Sequence, residues 1–172
     1  MIISLTGFMG CGKSSVGRRL SQLLCCPFMD LDDVIVESAG RSIPEIFATE
    51  GETAFRQMEL EALTGILSTS ESTRPFTLIL ALGGGTVMTP ECAEIVKEQT
   101  CCVYLKASIE TLMKHLSGEA DGRPMLHGHS MKERITELMA QRSETYEKTA
   151  HIIIDTDGMT IEGIASKIVT LI

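Results

Sequence analysis

The feature that most constrains this chain is a glycine-rich segment near its start, Gly7-Phe8-Met9-Gly10-Cys11-Gly12-Lys13-Ser14. It matches G-x-x-x-x-G-K-[ST], the pattern of a loop whose backbone N–H groups surround phosphate oxygens. The apolar run Ile2–Thr6 precedes it, and apolar residues at helical spacing follow it. A helix that starts at the loop adds a partial positive charge there. The segment therefore predicts a nucleotide site in which Lys13 contacts the terminal phosphates and the Ser14 hydroxyl can ligate Mg²⁺.

Short apolar runs alternate along the chain with segments of helical spacing. The runs are Ile2–Leu5, Phe28–Met29, Leu78–Leu82, Cys101–Leu105 and Ile152–Ile154. None alternates strictly between apolar and polar residues, which favours strands that are covered on both faces. This order predicts an α/β fold with a parallel sheet between helices, in a single domain over residues 1–172. Ligands of such sheets bind beyond the carboxyl ends of the strands, so we expect the chemistry there.

Composition excludes several classes of function. The net charge is −8 and there is no cluster of lysines or arginines, which argues against binding to nucleic acids or anionic membranes. No run is apolar over the ~18 residues of a membrane-spanning helix, and the first residues lack the pattern of a signal peptide. We expect a cytoplasmic monomer. The six cysteines include two adjacent pairs but no C-x-x-C spacing, so we expect free thiols, most of them buried as small apolar side chains.

A group of carboxylates follows the run Phe28–Met29. Asp30, Asp32 and Asp33 would repel one another unless a cation or a substrate offsets their charge. Strand geometry predicts that Asp30 and Asp32 lie on one side, where one could hold Mg²⁺ and the other orient an acceptor hydroxyl. The alternative is a helix N-terminus with acidic residues in its first turn, which is favourable in itself. We assign that role to Asp33 and favour function for Asp30 and Asp32.

Three consecutive glycines, Gly83, Gly84 and Gly85, follow the apolar run that ends at Ala81. Glycines at the end of a buried strand allow a ligand to approach the backbone closely. A simple loop after a strand rarely needs three of them. Their position therefore favours a binding role.

A polar, glycine-rich stretch lies at about residues 117–129, between two segments of helical spacing. It could be an ordinary surface loop. Alternatively, it is a mobile lid that closes over the site and brings Arg123 to the ligand.

Two arginines fall on helix faces that are otherwise apolar. Arg142 has this position in the segment that contains Tyr146, and Arg56 shares a face with leucines. A buried guanidinium group needs an anion to which it can donate hydrogen bonds. Glu59, one helical turn from Arg56, could supply a carboxylate in a purely structural pair. Alternatively, both arginines bind a substrate carboxylate, which suits the bidentate geometry of arginine.

Together these motifs resemble the shikimate kinase family, in the nucleoside-monophosphate-kinase group of P-loop folds. The resemblance covers essentially the whole chain. The phosphate loop alone indicates only a superfamily, and the more specific motifs are Asp30-Leu31-Asp32, Phe55-Arg56 with Glu59, Gly83-Gly84-Gly85 and Arg123-Pro124, in this order. The resemblance implies a three-layer sandwich around a five-stranded parallel sheet of order 2-3-1-4-5. It also implies that the lid is mobile and that the helical segment at about residues 31–66 binds shikimate.

The resemblance further implies an activity, the ATP-dependent phosphorylation of the 3-hydroxyl of shikimate in aromatic amino-acid biosynthesis. The residues implied to bind ATP are Gly10, Cys11, Gly12, Lys13, Ser14, Ser15 and Arg123. Those implied to bind shikimate are Asp32, Arg56, Gly83, Gly84, Gly85 and Arg142, and those implied to hold Mg²⁺ are Ser14 and Asp30. The implied catalytic residues are Lys13, Asp32 and Arg123. One departure is Lys114-His115, near which the family often has an arginine that stacks on adenine.

Two other functions remain open at this point. The first is a related small-molecule kinase, for example one that acts on gluconate. For acceptors without a carboxylate, such as a neutral sugar or a nucleoside, two inward arginines would not be required. A non-catalytic nucleotide-binding module is the second. The presence of Asp32 and Arg123 argues against it, because such a module is expected to lose one of them.

Overall fold

The chain forms one parallel sheet of five strands in the order β2-β3-β1-β4-β5. The structure, a computed structural model, describes residues 1–69, 76, 78–117 and 130–172. The strands are β1 (Ile2–Thr6), β2 (Phe28–Asp30), β3 (Leu78–Ala81), β4 (Cys101–Lys106) and β5 (Ile152–Asp155). Every predicted strand is present, with ends within one residue of the predicted run. The predicted fold class and strand order are confirmed.

Helices follow each strand and cover both faces of the sheet. They are α1 (Lys13–Leu24), α2 (Leu31–Ala39), α3 (Ile43–Thr49), α4 (Gly51–Thr69), α5 (Pro90–Gln99), α6 (Ile109–Leu116), α7 (Met131–Thr149) and α8 (Ile161–Leu171), with a short 3-10 helix at Thr86–Met88. The predicted capping box is complete at Ser42, where side chain and backbone bonds are exchanged with Glu45. At Ser130 the hydroxyl accepts the bond from the Glu133 N–H. Within the ranges that the structure describes, no helix is long and apolar enough to cross a bilayer.

Alternate residues of the central strands face two separate cores. Ile3 and Leu5 pack into the core formed with α1 and α8, whereas Ile2 belongs to the core formed with α4 and α5. Because both faces are covered, these strands are continuously apolar in sequence. The loops that could hold ligands are therefore gathered at the carboxyl-end edge of the sheet.

The inward face of α4 differs from the prediction. The apolar spacing predicted a face through Phe55, Met58, Ala62 and Ile66. The structure buries Phe55 and Ile66 as predicted, together with Glu59 and Leu63, and leaves Met58 and Ala62 half-buried. The physical reason is that the Glu59 carboxylate has hydrogen-bond partners in the interior, so a charged side chain is accommodated there.

All six cysteines are free thiols, as expected from their spacing. The expectation that most are buried holds for only three of them, Cys11, Cys92 and Cys102. Cys25 is exposed at the end of α1, where it has a left-handed conformation.

Candidate active site

The phosphate loop forms the turn between β1 and α1. Gly12 caps the helix with φ of 95°, a conformation that is strained for a residue with a Cβ. Gly10 has φ of 79°, and a Cβ there would also lie 2.7 Å from Leu116. The loop thus leads directly into the first turn of α1, whose unpaired N–H groups are available to phosphate oxygens.

Lys13 and Ser14 connect the loop to its surroundings. The Lys13 ammonium group donates to the carbonyl oxygens of Gly7 at 3.0 Å and Phe8 at 3.1 Å, so it lies across the loop. The Ser14 hydroxyl donates to Asp30 Oδ2 at 2.5 Å. The predicted partners of a magnesium ion, Ser14 and Asp30, are therefore adjacent.

The secondary structure that orients Asp30 and Asp32 differs from the one predicted. Because α2 begins at Leu31, helix capping rather than strand alternation orients them. Asp30 is the N-cap, and its Oδ1 accepts the Asp32 N–H at 3.1 Å. Asp30 therefore caps the helix. Asp33 is exposed in the first turn, as assigned, and its carboxylate lies 4.0 Å from the Arg18 guanidinium group.

Gly83, Gly84 and Gly85 form a turn after β3 that we call the glycine corner. The Asp32 carboxylate lies next to it, 2.8 Å from where a Cβ on Gly83 would be. Burial raises the pKa of Asp32 to about 6, the nearby charge of Asp30 adds to the rise, and Lys13 opposes it. A carboxylate with this pKa is ionised at neutral pH and is close to the range that suits proton transfer.

Each glycine of the corner has a different neighbour that leaves no room for a side chain. A Cβ would lie 2.8 Å from Glu59 Oε1 at Gly83, 3.1 Å from the Met9 nitrogen at Gly84 and 2.6 Å from Arg56 Nη2 at Gly85. The corner therefore touches both the phosphate loop and a guanidinium group. The groups that approach here belong to the protein itself, and the predicted approach of a ligand to the three glycines stays a prediction.

Arg56 has the ion pair that the structural interpretation predicted, and its binding of a substrate carboxylate stays a prediction. Its guanidinium group pairs with Glu59 and, at 3.1 Å, with Glu52, as in the structural interpretation. It also lies next to Gly85, where a Cβ would be 2.6 Å from Nη2. Burial alone would lower the pKa of Arg56, but the two glutamates outweigh burial and the pKa is raised.

Arg142 has a different environment. It is only 7% exposed, and its Nη1 donates to the Gly84 carbonyl oxygen at 3.3 Å. No carboxylate in the described part of the chain forms an ion pair with it. A buried guanidinium group that bonds to one carbonyl oxygen retains donors for an anion.

The sequence reasoning missed two residues of the corner. Thr86 donates to the buried Glu59 carboxylate at 2.7 Å, and the Tyr146 hydroxyl donates to the Gly84 carbonyl oxygen. The available signal for Tyr146 was its spacing of four residues from Arg142 on one helix face. Thr86 follows the third glycine directly, but nothing in its sequence context indicates a buried acceptor.

A cleft of about 1020 Å³ is lined by Asp32, Gly84 and the phosphate loop, but not by Arg56 or Arg142. It extends from Asp32 and Gly84 along the phosphate loop, including Cys11 and Ser15, to α6 and the segment after β5. Lys114 and His115 line its far end, and His115 Nδ1 is hydrogen-bonded to the Gly10 carbonyl oxygen at 2.7 Å. Arg123 and residues 118–129 of the predicted lid lie outside the described residues.

Comparison with known proteins agrees with this geometry. The family model for shikimate kinase matches residues 9–172. The shikimate kinase of Thermus thermophilus is 41% identical over 167 residues, which cover 97% of this chain and 87% of that protein. That of Geobacter sulfurreducens is 38% identical over 170 residues, covering 99% and 90% respectively. A solved structure of shikimate kinase from Acinetobacter baumannii in complex with shikimate has a TM-score of 0.91 and 33% identity, and the match covers 99% of this chain and 91% of that one. The chain therefore belongs to the shikimate kinase family.

Proposed function

We propose that this chain transfers the γ-phosphoryl group of ATP to the 3-hydroxyl of shikimate, giving shikimate 3-phosphate and ADP. The observation that carries the proposal is the position of Gly84. A Cβ at this position would lie 3.1 Å from the Met9 nitrogen of the phosphate loop, and the Gly84 carbonyl accepts a hydrogen bond from the buried Arg142. A carboxylate acceptor bound at Arg142 would therefore lie next to the end of a nucleotide bound in the loop.

On the nucleotide side, the loop amides and Lys13 bind the phosphates. The two carbonyl bonds of Lys13 hold its ammonium group over the loop, so little reorganisation is needed to reach an anion. Gly10, Gly12 and Ser15 complete this surface. The proposed role of Arg123 is to contact the transferring phosphoryl group when the lid closes and excludes water.

Ser14 and Asp30 fit a magnesium ion. They present a hydroxyl and a carboxylate oxygen 2.5 Å apart, and Mg²⁺ prefers oxygen ligands. Few protein ligands suffice, because Mg²⁺ usually takes the others from phosphates and water. Bound there, the ion would offset the negative charge of the phosphates.

On the acceptor side, the segment of about residues 31–66 contributes Asp32 and Arg56. Arg56 and Arg142 bind the shikimate carboxylate, and the backbone at Gly83, Gly84 and Gly85 approaches the ring hydroxyls. The Asp32 carboxylate accepts the hydrogen bond of the reacting hydroxyl. Its pKa of about 6 keeps it ionised at neutral pH and therefore able to accept.

We also propose a cytoplasmic enzyme that works as a monomer and has no nucleic-acid or membrane partner. The net charge of −8 supports the absence of polyanionic partners. Size-exclusion chromatography with light scattering measures the oligomeric state directly.

The proposed function is tested by ADP formation in a coupled assay with and without shikimate. We expect ADP release to require shikimate and to be at least tenfold slower with gluconate. Equal rates with the two acceptors would favour the related sugar-acid kinase. Nucleotide binding without acceptor-dependent ADP release would instead indicate a non-catalytic module.

A further inference from the structure

One carbonyl group of the glycine corner is bonded to two side chains of α7. Arg142 Nη1 donates to the Gly84 oxygen at 3.3 Å, and the Tyr146 hydroxyl donates to the same oxygen. Residues four apart lie above one another on a helix, so α7 presents both donors to the corner together. Because a carbonyl oxygen has two lone pairs, it can accept both bonds.

The Tyr146 ring is held firmly in place. It has no exposed surface, and it stacks on Tyr104 with ring centroids 5.1 Å apart and an angle of 30° between the planes. Burial raises the pKa of Tyr146 well above its ordinary value, so the hydroxyl keeps its proton at any working pH. Tyr146 is therefore a permanent and well-oriented donor.

The bond constrains the peptide between Gly84 and Gly85. This peptide is trans, so fixing the Gly84 carbonyl on α7 turns the Gly85 N–H towards the opposite side. Glycine has the widest choice of backbone conformations, so two adjacent glycines leave this peptide free to rotate unless an outside group holds it. A Cβ on Gly84 would lie 3.1 Å from the Met9 nitrogen, so this residue is close to the phosphate loop and the orientation of its peptide affects the surface between acceptor and loop.

We propose that Tyr146 is a positioning residue for the acceptor. It anchors the Gly84 carbonyl, and it thereby fixes the backbone next to the acceptor and leaves the other Arg142 donors to the substrate carboxylate. The inference rests on the proposed function, because it takes shikimate as the acceptor. It predicts that Tyr146 affects acceptor binding without touching the nucleotide.

The stacked partner of Tyr146 provides a matched control. The Tyr104 hydroxyl is also buried, but it has no hydrogen-bond partner in the described part of the chain. Tyr146→Phe and Tyr104→Phe each remove one buried hydroxyl and keep the ring that fills the core. Only the first removes a bond to the glycine corner.

The experiment measures kcat and KM for both substrates, and the unfolding temperature, in the wild type and the two variants. Loss of one hydrogen bond predicts a KM for shikimate about five- to tenfold higher in Tyr146→Phe, with the KM for ATP changed less than about twofold. Tyr104→Phe should match the wild type in both constants. This split separates positioning from a general loss of stability.

The contrary outcomes are distinct. If the wild type does not release ADP in response to shikimate, the proposed function fails and this inference fails with it. If the wild type is active and the two variants have equal KM values for shikimate, the inference alone is wrong. It is also wrong if Tyr146→Phe lowers the unfolding temperature and leaves both KM values unchanged, because Tyr146 would then be only structural.

Discussion

The phosphate loop is formed by eight consecutive residues, Gly7–Ser14. The acceptor corner, by which we mean the glycine corner with the side chains around it, instead takes its residues from α2, α4 and α7 and from the turn after β3. In the loop, three positive-φ glycines and a helix N-terminus are enough to form an anion site. In the corner, no stretch of chain is sufficient by itself. The corner depends on the packing of helices that are distant in sequence.

The two regions also differ in how their charges are balanced. The Lys13 ammonium group rests on backbone carbonyls, and among the described residues it has no ion pair that a bound phosphate would break. In the corner, Glu59 and Arg56 balance each other, whereas Arg142 has only a carbonyl partner among the described residues. The comparison suggests that variants in the loop change activity and leave stability intact. Variants in the corner should differ in their effects on activity and on stability, and the effect on stability depends on the charge or polar group that each one leaves without a partner.

The largest expected effect comes from Lys13→Ala. Removing this cation should lower kcat about 10²- to 10³-fold, because the charge that develops on the transferring phosphoryl group loses a fixed partner. The unfolding temperature should stay within the error of the wild type, because the lost bonds reach only loop carbonyls. Lys148→Ala, with a side chain 72% exposed, is the control and should be fully active.

The same loss of turnover with an intact fold is predicted for Arg123→Ala. Near-normal steady-state activity of either variant, measured with ATP and shikimate, would contradict the proposed phosphate contacts. A large loss of stability in Lys13→Ala would contradict the comparison between the two regions.

The next effect concerns Asp32 and pH. Asp32→Asn should lower kcat about 10²-fold, because the amide cannot accept a proton from the hydroxyl. In the wild type, kcat/KM should fall as the pH decreases through about 6, where Asp32 becomes protonated. If kcat/KM of the wild type is about the same at pH 5 as at pH 7, this role for Asp32 is excluded.

The same variant should be more stable than the wild type. The pKa of Asp32 is higher in the fold than the ordinary 3.8, so its ionisation above about pH 6 opposes folding. Asp32→Asn should therefore raise the free energy of unfolding by about 1–3 kcal/mol at pH 7, and the gain should disappear towards pH 4. Asp33→Asn, at an exposed neighbour, should show no such gain in urea titrations at the same pH values.

This contrast also explains which parts of the molecule could be predicted from the sequence. The phosphate loop and the strands are determined by neighbouring residues, so motif and apolar run located them within one residue. The sheet order and the family came from several motifs taken together. Asp33 lies in the first turn of α2, as assigned, but the sequence did not identify Asp30 as the N-cap, because the exact start of α2 decides which aspartate caps it.

The acceptor corner was predicted only in outline. Glycines and inward arginines were visible as exceptions to a local pattern, so Arg56 and Arg142 were found. The Glu59 partner of Arg56 was found as well, but Thr86 and Tyr146 were not, because the bonds from Thr86 to Glu59 and from Tyr146 to Gly84 span 27 and 62 positions in sequence. Such pairs depend on how α4 and α7 pack on the sheet, which no local pattern contains.

The two arginines provide the third prediction. Arg142→Ala should raise the KM for shikimate at least about tenfold, because a charge-assisted bond is lost. Stability should be unchanged or higher, because the variant removes a buried charge that has no carboxylate partner in the described chain. Arg56→Ala should raise the same KM and also destabilise the fold, because it leaves the buried Glu59 carboxylate without its cation.

The double variant Arg56→Ala/Glu59→Gln tests the cause of that instability. Replacing the carboxylate with an amide removes the uncompensated charge, so the unfolding temperature should recover while the KM for shikimate stays high. If stability does not recover, the pair contributes by packing rather than by charge balance. If Arg142→Ala and Arg56→Ala destabilise the fold equally, the proposed difference between the two arginines is wrong.

The smallest expected effect comes from Thr86→Val. The change keeps the shape of the side chain and removes its hydroxyl, so the buried Glu59 oxygen loses a donor at 2.7 Å. The free energy of unfolding should fall by about 1–2 kcal/mol, while the KM for shikimate should change less than about threefold, because Arg56 still holds the other oxygen of Glu59. Thr6→Val is the matched control at the phosphate loop, where the hydroxyl is buried without a partner in the described residues, so we expect equal or greater stability. Equal losses in the two valine variants would mean that burial, and not the bond to Glu59, sets the cost at this corner.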